Sequence, residues 1–378
     1  MTITRSRRGL AALAALSLFV AACGDDEETS TASDSASASA SESESASASA
    51  SASASDMADE ETSDSASASD MADEEASDSA SASEMAETVV VADVLGDVEV
   101  PVTSEGVYAL DEFSGVALLT LGVSPVQVDA FFQDPLLGTV IESEGVTLEG
   151  AGSIESIAAA QPQLIVGVGH PVHLESREQQ LGIAPVATPD FTVSWAEQTA
   201  VFGAATGTSD RADALVAVVE GRIADLAARI EAEGLAGSRI SIIQPFGPAF
   251  YAYGPTTLVG DISAQLGFTR SEIQSGAGDF GFIEVSEELL GSETDAAVVV
   301  DIDSGEQDGS SIFDSPVVDT TNATATGEAS YAWSGNHALA AWVILDDMES
   351  IIFGDGSTTQ VDDILAAWQA LLAAVDAA

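Results

Sequence analysis

The chain has 378 residues with 63 acidic side chains and nine basic ones, all of them arginines, which gives a formal net charge of −54. Residues 89–378 hold 44 of the acidic residues and six of the arginines, a net charge of about −38. This charge repels phosphate and excludes nucleic acid and anionic lipid headgroups as surfaces that the region would bind. The single cysteine, Cys23, excludes an internal disulfide and a thiolate metal cluster.

The amino terminus predicts export. An arginine-rich start precedes an almost uninterrupted apolar run over 10–20, and small residues follow up to Cys23, which is the layout of a signal peptide. The run is about half as long as the roughly 20 apolar residues that a membrane span needs. Val20-Ala21-Ala22-Cys23 resembles a bacterial lipobox. We therefore expect residues 1–22 to be removed and the protein to be held at the outer face of the cell membrane by a lipid on Cys23 alone.

Residues 23–88 predict a disordered stalk. After Cys23 they consist almost entirely of Ser, Ala, Asp and Glu, and such a composition cannot bury enough apolar surface to offset the entropy of ordering. The segment Asp56-Met57-Ala58-Asp59-Glu60 recurs at 70–74 and in part at 84–86, but one methionine per repeat provides no apolar seam for a coiled coil. As a flexible coil the stalk would span roughly 45 Å.

Short apolar strands alternate with helical segments from residue 89 onward. A hairpin over 89–101 comes first, with a turn at Gly96-Asp97. The pattern then predicts strands at 107–110, 126–128, 164–168 and near 186, with helices at 114–121 and 154–160. Such alternation is typical of a parallel α/β sheet.

One long helix divides this region. Apolar residues recur at helical spacing from 209 to 233, Ser209-Asp210 is a plausible start, and Gly234 a plausible stop. Beyond it we expect strands at 240–243 and 296–300 and helices at 258–266, 338–353 and 360–375. The prediction is an α/β protein with two lobes, each a parallel-type sheet flanked by helices. The expected parts are an amino-terminal lobe, a spine helix and a carboxy-terminal lobe at 89–208, 209–236 and 237–378.

Five sequence blocks, in order along 89–378, carry a resemblance to a known family. They are Asp93 to Pro101, Val107 to Phe113 with Ala117 to Val123, Gly152 to Ile157 with Gln161 to Ile165, Val285 to Leu290, and Asp295-Ala296. Together they resemble the class III substrate-binding proteins of ABC importers for ferric siderophores, haem and cobalamin. Gln163 replaces the aspartate usual in the third block. The resemblance implies a ligand cleft between the lobes and no enzymatic activity.

Ligands of open parallel sheets bind beyond the carboxyl ends of the strands, so the cleft candidates are strand-end and loop residues. Most are aromatic, and as a group they suit a large ligand held by apolar and stacking contacts. The candidates are Asp111, Glu112, Phe113, Phe131, Phe132, His170, Phe191, Trp195, Phe246, Tyr251, Tyr253, Arg270 and Trp333.

The charge pattern bounds the ligand. Only Arg270 is a fair arginine candidate for the cleft, because the others fall on helices or before a strand. A trianionic ferric catecholate would be poorly matched to a domain of this charge, whereas a neutral or cationic chelate such as a ferric trihydroxamate fits better. We therefore predict a ferric siderophore as ligand, with cobalamin or haem as the alternative; His170, Tyr251 or Tyr253 would provide a haem ligand.

Glu155 and Glu288 are predicted, from the resemblance, to dock onto the importer's permease subunits, one from the rim of each lobe. A local explanation is also available: Glu155 follows Ser153, a plausible N-cap, and both acids would favour the positive end of a helix dipole.

Other motifs offer little chemistry. Gly276 to Gly281 matches G-x-G-x-x-G, but no buried strand precedes it, and His170, His173 and His337 do not form a predicted metal site. We expect no cofactor. The remaining alternative is a surface-anchored enzyme that uses Asp111 and Glu112 as acid and base, although neighbours in an extended loop point in different directions.

Overall fold

The computed structural model describes residues 87–150, 152–247, 249–276, 278, 281–303 and 311–378. The chain divides into two units, 1–79 and 80–378, and every described residue belongs to the second. The predicted signal peptide, the lipidation site Cys23 and the stalk up to residue 86 lie outside the described residues.

The opening hairpin is confirmed. β1 (Thr88–Val91) pairs antiparallel with β2 (Val98–Pro101). Its loop is fastened to the amino-terminal lobe by Asp93, whose Oδ2 accepts hydrogen bonds from the Thr188 backbone (2.7 Å) and the Arg177 guanidinium (2.8 Å). Both charged side chains are buried, so the ion pair fixes the hairpin in place.

The amino-terminal lobe contains a five-stranded, fully parallel sheet with strand order β5-β4-β3-β6-β7. Its strands are β3 (Val107–Ala109), β4 (Gln127–Ala130), β5 (Leu148–Gly150), β6 (Leu164–Val166) and β7 (Val186–Ala187). Its helices are α1 (Glu112–Thr120), α2 (Pro135–Ser143), α3 (Ile154–Ala160), α4 (Pro171–Glu175), α5 (Arg177–Leu181) and α6 (Trp195–Thr206). From the central strand β3 the chain adds β4 and β5 on one side of the sheet, and it then crosses back to add β6 and β7 on the other side. This reversal leaves a crevice at the carboxyl ends of the strands, between the loops that follow β3 and β6.

The predicted spine is α7 (Ser209–Ala232), whose 24 residues span about 36 Å. Its buried face repeats at helical spacing through Leu215, Val219 and Ile223 and continues to Ile230. The helix ends before Gly234, which has a φ of +76° and thus the left-handed conformation that glycine adopts without strain.

The carboxy-terminal lobe has a mixed sheet with order β10-β9-β8-β11-β12. Its strands are β8 (Ile240–Phe246), β9 (Ala249–Tyr253), β10 (Phe282–Val285), β11 (Val298–Ile302) and β12 (Ala325–Ala329). The expected strands β8 and β11 are parallel, and β12, which the sequence did not predict, is parallel to β11. β9 and β10 extend the sheet antiparallel. The sequence pattern missed this extension because β9 follows β8 through a tight turn with no helix between them.

The α-helices among the described residues of this lobe are α8 (Leu258–Gln265), α9 (Glu287–Glu293), α10 (Ala338–Phe353) and α11 (Ile364–Asp376). α10 packs on the spine and on α1, and α11 packs on α2, where Trp368 donates from Nε1 to Glu144 at 2.7 Å. The last two helices therefore join the lobes. No helix within the described part of the chain is long and apolar enough to cross a membrane.

Candidate functional site

A cavity of about 740 Å³ lies between the strand-end loops of the amino-terminal lobe and the sheet of the carboxy-terminal lobe. Most of its described lining is aromatic, with a few polar groups among the rings. The lining residues are Phe113, Phe132, His170, Phe191, Gln244, Phe246, Tyr251, Tyr253, Gly278, Phe282, Ile283, Glu284, Tyr331 and Ser334. The volume and the mainly apolar lining suit a drug-sized ligand.

Seven of the thirteen residues predicted for the cleft line this cavity: Phe113, Phe132, His170, Phe191, Phe246, Tyr251 and Tyr253. They come from both lobes, as the prediction required. The strand-end rule accounts for Phe113, Phe132, His170 and Phe191, which follow strands of the amino-terminal sheet, and for Phe246, which ends β8. Tyr251 and Tyr253 lie within β9, which is antiparallel to β8, so the rule does not explain them.

The amino-terminal wall is a stack of phenylalanines. The Phe113 and Phe132 rings are stacked with centroids 4.2 Å apart, and Phe131 meets Phe132 edge-on at 4.8 Å. Phe131 does not line the cavity, which corrects its prediction. It lies behind Phe132 and contacts the His173 ring at 4.8 Å, so it supports the wall.

Asp111 is the N-cap of α1 and is fully buried, so its predicted ligand contact is not supported. Oδ1 accepts from the Ser114 backbone at 2.7 Å, and Oδ2 accepts from the Val168 backbone at 3.0 Å. His173 Nε2 lies 3.3 Å from Oδ2. Burial alone would raise the pKa of Asp111, but His173 and these two amides hold it below its usual value. The carboxylate thus ties the loop after β3 to the loop after β6.

Glu112 is also fully buried and turned away from the cavity, which corrects its prediction. Its two oxygens accept hydrogen bonds from the backbone N–H groups of Phe132 (2.8 Å) and Gln133 (2.7 Å). Burial raises the pKa of Glu112, against the lowering effect of these amides. The carboxylate clamps the loop that carries the phenylalanine wall, and the pair Asp111 and Glu112 does not face the cavity as an acid and a base.

Three further predicted residues support the site without lining the cavity. Trp195 begins α6 and is 3% exposed in the core. Trp333 is 1% exposed and donates from Nε1 to Asp347 at 2.9 Å. Arg270 donates to the Tyr253 backbone carbonyl, and burial lowers its pKa to about 10. The two tryptophans thus complete the core, and Arg270 holds the end of β9.

Apart from Gly278, six residues that line the cavity were not predicted from the sequence: Gln244, Phe282, Ile283, Glu284, Tyr331 and Ser334. Three of them lie on β10, the antiparallel strand that the alternation of strands and helices does not predict. Tyr331 and Ser334 belong to a short 3₁₀ turn that follows β12. The strand-end rule would have located this turn, had β12 been recognised in the sequence.

Arginine is absent from the described lining. Arg177, Arg211, Arg222 and Arg229 form ion pairs with Asp93, Asp376, Asp346 and Glu349, and Arg239 donates to the Ser292 carbonyl. The only acid among these lining residues is Glu284. Burial, followed by the charge of His173, lowers the pKa of His170 and so favours its neutral imidazole.

A small polar group lies within the aromatic lining. The Tyr253 hydroxyl donates to Gln244 Oε1 at 3.0 Å and lies 2.5 Å from the Ser334 hydroxyl. Tyr331 stands nearby, and its pKa is raised to about 12 by burial and by the charges of Asp134 and Glu112. These hydroxyl and amide groups can orient a ligand that the rings hold.

The histidines do not converge. His170 and His337 are N-caps of α4 and α10, and His173 adjoins Asp111. Across the described ranges, no group of three His, Cys, Asp or Glu side chains could hold a metal ion. The glycine-rich motif precedes strand β10 rather than a helix, so it lacks the context of a dinucleotide site.

Glu155 and Glu288 lie in the first turns of α3 and α9, one in each lobe, and both are exposed and absent from the described cavity lining. Ser153 caps α3 by accepting from the Ser156 backbone at 3.2 Å, as predicted. The cap and the docking role are compatible, because Ser153 accepts the cap hydrogen bond while the Glu155 side chain stays exposed.

Several solved structures share this fold. The FhuD protein from S. pseudintermedius aligns with a TM-score of 0.61 at 17% identity, over 72% of this chain and 100% of its own. A periplasmic binding protein component of a Fep/Fec-like ferrichrome ABC transporter from Bacillus subtilis aligns with a TM-score of 0.57 at 21% identity, over 69% and 99%. FhuD2 from Staphylococcus aureus with bound ferrioxamine B aligns with a TM-score of 0.58 at 18% identity, over 66% and 99%.

These structural alignments establish a common fold, in which two lobes are joined by a helical spine, as the sequence predicted. No curated protein matches the chain in sequence. The family model for periplasmic binding proteins, in contrast, matches residues 109–330, which include the spine and all of both sheets except the first two residues of β3. This chain belongs to the periplasmic binding protein family.

Proposed function

We propose that this protein captures a ferric siderophore outside the cytoplasm and delivers it to an ABC importer, without catalysing a reaction. The observation that supports this most strongly is the cavity between the lobes, which is large, mainly aromatic and free of arginine in its described lining. Rings and a few hydroxyl groups suit a bulky chelate whose metal is already enclosed by its own ligands. The fold is that of proteins whose names refer to ferrichrome and ferrioxamine B.

The charge of the cavity favours a neutral or cationic chelate, such as a ferric trihydroxamate. A ferric catecholate carries a charge of about −3, and no described lining residue would compensate for that charge. Glu284 would repel it, and so would the buried carboxylates Glu112 and Asp134 behind the wall.

Haem or cobalamin is the second candidate. For haem, the observation in its favour is His170, a neutral imidazole that lines the cavity and could ligate iron. The absence of arginine from the described lining argues against the two haem propionates, which ordinarily require basic partners.

Export and anchoring belong to the same proposal. They depend on the signal-peptide pattern and on Cys23, outside the described residues. The importer's permease subunits would meet Glu155 and Glu288 on the two lobes.

The test is a titration of the purified protein, followed by quenching of its intrinsic fluorescence, with a ferric trihydroxamate, a ferric catecholate, haem and cobalamin. We expect the trihydroxamate to bind at least tenfold more tightly than the other three. Phe246→Ala should weaken binding, because Phe246 lines the cavity. Leu181→Ala is the control and should leave binding unchanged, because Leu181 is equally exposed (53% against 52% for Phe246) but lies outside the lining. Tighter binding of the catecholate would refute the charge argument, and binding of haem or cobalamin alone would establish the second candidate.

A further inference from the structure

Glu284 is the one acidic side chain in the described lining of the cavity. It lies on β10, is exposed to solvent and stands directly opposite Tyr251 in the antiparallel register of β9 and β10. Tyr251 in turn meets Phe246 edge-on, with ring centroids 6.1 Å apart. A carboxylate therefore adjoins two aromatic rings on the carboxy-terminal wall.

The protein provides this carboxylate with no cation. Within the described ranges Glu284 forms no ion pair, and each arginine is engaged elsewhere, including Arg270, which holds the Tyr253 carbonyl. The chain has no lysine that could reach it. A bulky ligand that fills the cavity displaces water from Glu284, and a carboxylate that loses water without gaining a partner is costly.

The opposite wall is negative as well. The amino-terminal wall contains the buried carboxylates of Glu112, which holds the loop after β4, and of Asp134, the N-cap of α2. Their charges reach the cavity surface, since they add to burial in raising the pKa of the lining residue Tyr331. A cation in the cavity is thus attracted from both walls. The aromatic rings of the lining attract it as well, through their π faces, and a ring loses less hydration than a carboxylate when the ligand covers it.

We propose that Glu284 is a specificity-determining residue that selects siderophores carrying a protonated amine. The ammonium group donates to the carboxylate beside Tyr251 and Phe246, while the iron chelate occupies the rest of the aromatic cavity. Such a charge-assisted hydrogen bond is about twice as strong as a neutral one. The inference rests on the proposed function, since it names the chemical class of chelate that the same cavity takes.

The experiment compares a ferric trihydroxamate that has a free primary amine with its N-acetylated form. The two have the same iron coordination and differ by one positive charge. We expect the protein to bind the amine form about tenfold more tightly than the acetylated form. In Glu284→Gln this preference should fall to twofold or less, mainly through weaker binding of the amine form.

Glu287→Gln is the matched control. It removes the same charge from the next acidic position along the chain, an exposed site on α9 outside the lining, and should keep the full preference. Added salt should reduce the preference of the wild type and leave the Glu284→Gln variant unaffected, because exposed charges are screened.

The outcomes separate the two proposals. Equal affinity of the wild type for both chelates, or a preference that survives in Glu284→Gln, would overturn this inference and leave the siderophore function standing. Failure of both chelates to bind the wild type would overturn the proposed function and this inference with it.

Discussion

Replacing Glu112 with Gln tests whether the phenylalanine wall depends on a buried carboxylate. Glu112 accepts the backbone N–H groups of Phe132 and Gln133 at 2.8 and 2.7 Å, one on each oxygen. Glutamine has the same shape but only one acceptor oxygen, and its amino group is a donor. One of these two N–H groups would therefore face a donor and lose its partner.

The lost acceptor should cost about 1–3 kcal/mol of stability. Gln133 has a φ of +55°, a left-handed conformation that costs a non-glycine residue about 1–2 kcal/mol, and relaxation of the loop in the variant would recover part of this strain. An opposing effect reduces the total, since the raised pKa of Glu112 shows that burying its charge is unfavourable, and glutamine removes that charge. We expect a net loss of about 1 kcal/mol at pH 7.

The pH dependence has a definite sign. A carboxyl group whose pKa is raised by folding contributes stability that is complete below its unfolded pKa, about 4.3, and is lost as the pH rises through the folded pKa. The variant has no such group. The stability difference between wild type and Glu112→Gln should therefore widen in favour of the wild type as the solution is acidified towards pH 4.

Ligand affinity should fall more than stability alone would suggest. The loop held by Glu112 positions Phe132 against Phe113, with ring centroids at 4.2 Å. A loop that relaxes at Gln133 must be ordered again by the ligand. A tenfold loss of affinity, equivalent to about 1.4 kcal/mol, is the expected result.

The assays are thermal unfolding, ligand titration, and hydrogen exchange at the amides of Phe132 and Gln133, which should accelerate in the variant. Glu293→Gln is the control, because it alters a 4% exposed carboxylate that accepts from Gln274 at 3.1 Å, outside the cavity lining. It should cost stability without changing affinity or these two amides. Unchanged exchange and affinity in Glu112→Gln would refute the clamp.

Two further predictions concern delivery and anchoring. Replacing Glu155 and Glu288 together with Ala should leave ligand affinity within twofold and reduce uptake by cells at least tenfold, more than either single change, because each would remove one charged contact with the permeases. Normal uptake in the double variant would exclude both from docking, and uptake that merely follows the melting temperature would support the dipole explanation. Cys23→Ser should release the protein from the membrane fraction or halt its processing; an unchanged mass and unchanged fractionation would contradict the lipobox.

The architecture could be predicted because hydrophobic periodicity records burial. The spine at 209–233 was predicted within one residue of α7, and the helices at 154–160 and 338–353 coincide with α3 and α10. β9 and β10 were not predicted. Their antiparallel pairing depends on a tight turn and on partners distant in sequence, and neither contributes to the alternation of strands and helices.

The candidate site was predicted where the strand-end rule suffices and missed where side-chain direction decides. Phe113 and Phe132 follow strands and line the cavity, but Asp111 and Glu112 follow the same strand as Phe113 and face inward. Asp111 accepts from the first turn of its own helix and from the loop after β6, and Glu112 accepts from two amides of the loop after β4. These partners occupy both carboxylates. Sequence position places a residue at the edge of the sheet without specifying which way its side chain points.

The two lobes consequently contribute different chemistry to the cavity. In the amino-terminal lobe the acids Asp111 and Glu112 hold loops and the rings line the cavity. In the carboxy-terminal lobe Glu284 lies in the middle of a strand, with no helix start to occupy its carboxylate, and its alternating position on β10 turns it into the cavity. An acid in a strand is therefore the one more readily available to a ligand here, and the antiparallel extension that the sequence pattern failed to predict is the element that provides it.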